Sequence, residues 1–292
     1  MATTLTNNTF STSYKDDFKD SDGYHRVLFN SGKALQAREL TQIQTFLQKQ
    51  ISRFGDNIFK EGAVVKPGGA NLNQKYEFIK LNTASNALPT DTSNMIGAIF
   101  AGTTSSVEVK VIEAVAASGG DPATLYVQYI NTSSATSGTN TIRMTPGENI
   151  QWQGTASSVT LTVQTTNSTA NPAVGTGVLA TIKSGIYYAR GHFVHTEDQS
   201  KIISKYSDNI TTDIGFKSIE DVVTVTDDQD LYDNQGSTPD ISAPGADRYR
   251  IRLTIAERSE VNSDENFIHI ASVRNGLIYN AVGISDAYNI PN

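Results

Sequence analysis

The residues able to do chemistry are few and poorly grouped. Of the four histidines, only His192 and His195 lie close together. Three positions apart in a strand they point to opposite faces, which spoils a shared metal site. The carboxylates Asp227, Asp228, Asp230 and Asp233, followed by Asn234 and Gly236, have the oxygen-rich character of a calcium loop. Counted from Asp228, however, the twelfth position that should carry a bidentate glutamate is Pro239. The default for such a run is a solvated acidic turn. Neighbouring acids such as Glu197 and Asp198 could serve as an acid and base pair, and nothing selects them from the rest. Gly68 and Gly69 lack the Gly-Lys-Ser/Thr continuation of a phosphate loop, and neither a nucleophile elbow nor a zinc-protease helix occurs. The sequence therefore gives no catalytic residue, no cofactor-binding motif and no metal site. It points away from an enzyme.

Composition narrows the classes further. No cysteine is present, so stability must come from burial, sheet pairing or subunit contacts. Lysine and arginine total 23 against 30 acids, a net charge of −7 without a basic block, which argues against nucleic-acid binding. Hydrophobic residues make up 38% of 292, enough for one large core or two small ones. Only 18% are charged, while Ser, Thr, Asn and Gly abound, as in β-rich particle or extracellular proteins. The first residues lack the basic start and apolar stretch of a signal peptide, and no run is long enough to insert into a membrane. A protein soluble when made is the expectation.

One stretch carries a helical signal. Leu40, Ile43, Leu47, Ile51 and Phe54 fall at steps of three and four, with Phe46 on their flank. Gln42, Gln44, Gln48, Lys49, Gln50 and Arg53 fill the other positions, and Gly55 offers a left-handed closing residue. The row reads either as ordinary core packing against the chain's own sheet, or as a packing and oligomer seam that also meets another subunit.

The remainder is strand-like. Tyr76–Leu81, Val107–Val115, Thr124–Ile130, Val159–Val163, Tyr249–Ala256 and Phe267–Val273 alternate apolar and polar, with Gly119 and Gly120 or Asn275 and Gly276 supplying turns. Ile186–Glu197, split at Gly191 and His192, reads as a hairpin. The fold expected is mainly β, with one long amphipathic α-helix near the N-terminus and antiparallel sandwich or barrel-like domains. Residues 1–22 form an extended, mixed-charge arm expected to be disordered alone, either a solvated tail or an arm that orders against a partner. Residues 23–83 and 178–292 make a helix-plus-β scaffold, and 84–177 a Ser/Thr-rich small β-domain inserted into it. The end of the chain, soon after a hairpin, suggests an attachment segment or a truncation.

Two stretches taken together carry a likeness: FNSGKALQARELTQIQTFLQKQISRFGDNIFKEGAVV, and GIYYARGHFVHTE followed by DLYDNQGSTPDISAPGADRYRIRLTI. They resemble an uncharacterised family of virion structural proteins from contractile-tail phages of the cyanophage type. The resemblance implies a structural tail component, in the baseplate or where fibres attach, made in the host cytoplasm and built into the virion. The helical row and the unpaired strand edges add assembly with itself, as a dimer or trimer, and the resemblance adds other tail or baseplate proteins as partners. It brings no catalytic residues. A second reading is a carbohydrate-binding or host-receptor module, with Trp152, Tyr126 and Tyr129 stacking a sugar ring. A third, a depolymerising enzyme, lacks a preferred acid and base pair.

Overall fold

The computed structural model describes residues 14–82, 95–131, 143–154, 159–233, 238, 240–262 and 266–281. It is mainly β, 45% strand and 14% helix, with antiparallel sheets. In chain order come α1 (Ala37–Ile58), β1 (Gly69–Lys80), β2 (Ile99–Gly102), β3 (Glu108–Val115), β4 (Thr124–Asn131), β5 (Asn149–Trp152) and β6 (Thr160–Thr162). Then follow β7 (Val174–Lys183), β8 (Gly185–Ala189), β9 (His192–Thr196), β10 (Gln199–Ser204), β11 (Thr212–Val223), β12 (Arg248–Glu257), β13 (Phe267–Arg274) and β14 (Leu277–Ala281).

Two compact units divide the chain: Met1–Ala70, Ile182–Ser200 and Thr211–Asn292 form the first, Asn71–Thr181 and Lys201–Ile210 the second. The second unit therefore takes in more than the expected 84–177, because β1 and β7 are inner strands of its sheet and cannot be left to a scaffold.

That sheet has eight strands in the order β10-β7-β1-β4-β3-β2-β5-β6. Leu81, one residue past β1, bridges Val163, one residue past β6, so the run from β1 to β6 curls back on itself in a barrel-like way. Ile79, Phe100, Val109, Leu125, Val127, Ile150 and Leu161 fill its core. The strict alternation of side chains sends Tyr76, Phe78 and Tyr126 to the opposite face, where they form a separate small cluster with Tyr206. A buried carboxylate ties two loops together: Glu148 accepts from the backbone N–H of Thr104, Ser105 and Thr145 and from the Ser105 hydroxyl.

In the first unit β11 lies between β12 and β13, with β14 beyond β13. Phe216 stands opposite both Ile255 and Ile268. The sequence RYRIRLTI alternates as its pattern requires: Arg248, Arg250, Arg252 and Thr254 face out, while Leu253 and Ile255 are buried. Strand β11 starts at Thr212, and Gly215 interrupts its alternation. Gly215 marks a register shift, and a β-carbon there would stand 2.1 Å from the Ile268 carbonyl oxygen. Strands β13 and β14 are joined through Asn275 and Gly276, both left-handed at φ 51° and 73°, as the Asn-Gly pair demands.

The arm and the helix differ from expectation. Residues 1–13 lie outside the described residues, but 16–20 run along α1 with only Asp16 and Phe18 half-buried. Asp17 pairs with Arg38 at 3.1 Å, Asp20 with Arg53 at 3.0 Å, Asp16 meets Thr45, and Phe18 packs edge-on against Phe46. Three acids of the arm, Asp16, Asp17 and Asp20, thus find partners on α1. Gly55 does not end the helix; α1 runs on to Ile58, and Gly55 is buried inside it.

Candidate functional site

Among the described residues, a set of specific side-chain contacts in the first unit lies where α1 meets the β8–β9 hairpin. The hairpin turns at Arg190 and Gly191, both left-handed at φ 52° and 77°, the geometry of a two-residue primed turn. It lies on the sheet through Tyr187, whose ring stands edge-on to Phe216 at 5.0 Å. Tyr188, from the same strand, points the other way and reaches the helix. Its hydroxyl donates to the Ser52 carbonyl at 3.1 Å and contacts Asp56 Oδ1 at 2.6 Å. Burial, reinforced by Asp56, raises the Tyr188 pKa. Gln48 completes the dock by donating to the Gly191 carbonyl at 2.9 Å. Helix α1 is thus held by its polar and small residues.

At the hairpin tip the Arg190 guanidinium pairs with Glu220 at 2.5 Å and donates to Asn266 at 3.0 Å. The Arg190 backbone N–H is shared between both oxygens of Glu61, at 2.9 and 3.1 Å. Tyr249 turns its hydroxyl to Glu220 as well, and burial raises its pKa. Burial also raises the Glu61 pKa, opposed by the Arg190 N–H. His192 donates Nδ1–H to the Arg190 carbonyl at 2.9 Å, and its burial lowers its pKa. Glu61, Glu220 and His192 each meet Arg190, so the cluster locks the hairpin in place, while Arg190 Nε is buried without a hydrogen-bond partner.

A second polar set contains serine, histidine and aspartate. Ser272 donates to Asp213 at 2.7 Å and lies 2.8 Å from His269 Nε2. Since the serine proton goes to Asp213, His269 must donate to Ser272 and cannot act as its base. Asp213, held below the usual carboxylate range by Ser272 and then Arg274, is a poor proton acceptor besides.

The sequence-derived candidates fare differently. His192 and His195 do fall on opposite faces of β9, His195 being exposed beside Glu197. In the acidic loop, Asp227 accepts from Thr224, Asp228 from the N–H of Asp230, and Asp233 from that of Asp240. These carboxylates hold turns together; Asn234, Gly236 and Pro239 lie outside the described residues. The sugar-stacking trio is not brought together. Tyr126 is buried against Tyr76 at 4.7 Å, whereas Tyr129 and Trp152 pack on the other side, on the core that contains Phe100. Burial pushes the Tyr129 pKa up to about 12.

The helical row stands out. Leu40, Leu47, Ile51 and Phe54 are 48, 62, 44 and 64% exposed, and Ile43 is half-buried. The reading of the row as intra-chain core does not hold, because Ser52, Gly55 and Gln48 dock the helix and turn its apolar side outward. Tyr24, Leu28, Phe29 and Leu35, just before the helix, are exposed as well. No alternating or periodic signal announces Glu61, Glu220 or Tyr188 as contact residues; the hairpin itself was legible, with its turn at Arg190 and Gly191 rather than at Gly191 and His192.

Among the described residues, no helix is long and apolar enough to cross a membrane. No curated protein and no solved structure matches the chain. One family model does, described as a domain of unknown function, DUF4815, over residues 12–88 and 166–288. Those two stretches contain α1, the hairpin, Glu61, Glu220 and Tyr249, and they pass over most of the strands that curl into the barrel-like sheet. With most of its length inside the match, the chain belongs to the DUF4815 family.

Proposed function

We propose that this chain is a structural, non-enzymatic subunit of a phage tail, in the baseplate or at a fibre attachment, acting by protein–protein assembly. Its partners are copies of itself and neighbouring tail proteins. The observation that carries the reading is the apolar surface formed by Leu40, Leu47, Ile51 and Phe54, exposed on a helix whose polar side is already used within the chain. Exposed contiguous apolar area of this kind marks an interaction site more often than a solvated one. The placement in a tail rests on the resemblance of the two flanking stretches to virion structural proteins. The acidic net charge of −7 suits protein partners and disfavours nucleic acid.

The test is made on particles. Phage carrying this gene are purified, their proteins identified by mass spectrometry, and the chain located by gold-labelled antibody. Label at the tail is expected. Particles that lack the chain, or label confined to the capsid, would overturn the proposal.

A further inference from the structure

The apolar row on α1 has a period that favours one kind of partner. Leu40, Ile43 and Leu47 recur eleven residues later as Ile51, Phe54 and Ile58. An eleven-residue repeat, 3.67 residues per turn, follows the winding of a nearly straight helix. The row therefore stays on one line for the whole of Ala37–Ile58, roughly 30 Å at 1.5 Å per residue. An ordinary surface helix turns such a line towards its own sheet. Here Tyr188 and Gly191 hold one flank of the helix, and the arm covers the positions bearing Arg38, Phe46 and Arg53.

Resting on the assembly reading above, we infer that this row is a helix-to-helix seam with another copy of the same chain. Three observations select that occupant. Along the row Leu40 is matched by Ile51 and Leu47 by Ile58, and Ile43 by the larger Phe54, so a second copy meets an apolar side chain at each level. The residues bordering the row are uncharged at Gln44 and Gln50, and Arg38 and Arg53 are neutralised by Asp17 and Asp20. Copies that each carry −7 can approach only along such a border. The row supplies part of the area a stable interface needs. The exposed side chains of the row offer on the order of 400 Å² per copy, about half of a standard interface side. Tyr24, Leu28, Phe29 and Leu35, exposed immediately before α1, extend it.

The experiment is a light-scattering concentration series on the full chain, on Leu47→Glu and on Lys217→Glu, whose exposed site on β11 controls for the change of charge. Wild type is expected to associate into dimers or trimers. Leu47→Glu should raise the concentration needed at least tenfold, while its circular dichroism and melting stay unchanged because Leu47 is outside the core. Lys217→Glu should behave as wild type. A wild type that is monomeric throughout overturns the seam, as does a folded Leu47→Glu that associates equally well, or a Lys217→Glu that loses association to the same degree. Incorporation of Leu47→Glu into particles separates the two claims. A monomeric wild type whose incorporation is lost on substitution overturns self-pairing and leaves assembly standing. Incorporation unaffected in a monomeric protein overturns both.

Discussion

Tyr188 lies so close to Gly55 that a β-carbon on residue 55 would stand 2.4 Å from the tyrosine ring. No real contact of that length exists, so glycine is what allows the ring to lie on the helix and the hydroxyl to reach Ser52 and Asp56.

Gly55→Ala should therefore destabilise the protein by about 1–3 kcal/mol, the usual cost of overpacking. Intrinsic helix preference runs the other way, favouring alanine by about 1 kcal/mol. Urea denaturation decides, and an alanine variant at least as stable as wild type would show that the contact is loose.

The ion pair at the hairpin tip is nearly enclosed, with side-chain exposures of 11% for Arg190 and 20% for Glu220. Arg190→Met alone leaves Glu220 buried without its cation and should cost about 3–5 kcal/mol. Adding Glu220→Met should return part of that loss. A double-mutant cycle measures the coupling, and two single effects that simply add would remove the pair from the account of the fold.

His192 is held neutral. Its folded pKa is lowered, so between its folded value and the unfolded value near 6.5 the unfolded chain binds more protons. Stability contributed by the neutral ring is complete above about pH 6.5 and falls as the pH drops towards the folded pKa. Unfolding free energies taken from pH 7.5 to 5 for wild type and His192→Gln should diverge, wild type losing more on acidification. Parallel curves would mean that the ring titrates alike in both states.

Glu148 gathers N–H groups from two loops in a buried position. Glu148→Ala should leave those donors without partners and cost at least ~2 kcal/mol. Amide exchange at Thr104, Ser105 and Thr145 should accelerate selectively; unchanged exchange there would mean the loops are held by their own backbone.

How far these features were legible follows from their range. Tight turns such as Asn275-Gly276 and strands such as Tyr249–Ala256 are written in neighbouring residues, and both are found where the pattern puts them. Strand β11 was half hidden because the glycine that permits its bulge also breaks the alternation. The helix was visible as a helix, but which side docks was not. Periodicity reports where apolar groups lie; it cannot report that Tyr188, far along the chain, fills the gap at Gly55. Glu61, Arg190 and Glu220 are joined by geometry alone, each ordinary in its local sequence. Trp152 and Tyr126 misled as a sugar platform because strand parity and pairing, absent from composition, place them on different faces.

The division of labour around α1 has a consequence for how such a protein can change. Residues that fasten the helix, Gln48, Ser52 and Gly55, share nothing with those on its outer line. On the assembly reading proposed above, substitutions along Leu40, Leu47 and Phe54 retune what the chain joins without loosening the joint to its own hairpin. A lineage built this way can exchange partners while its architecture stands still.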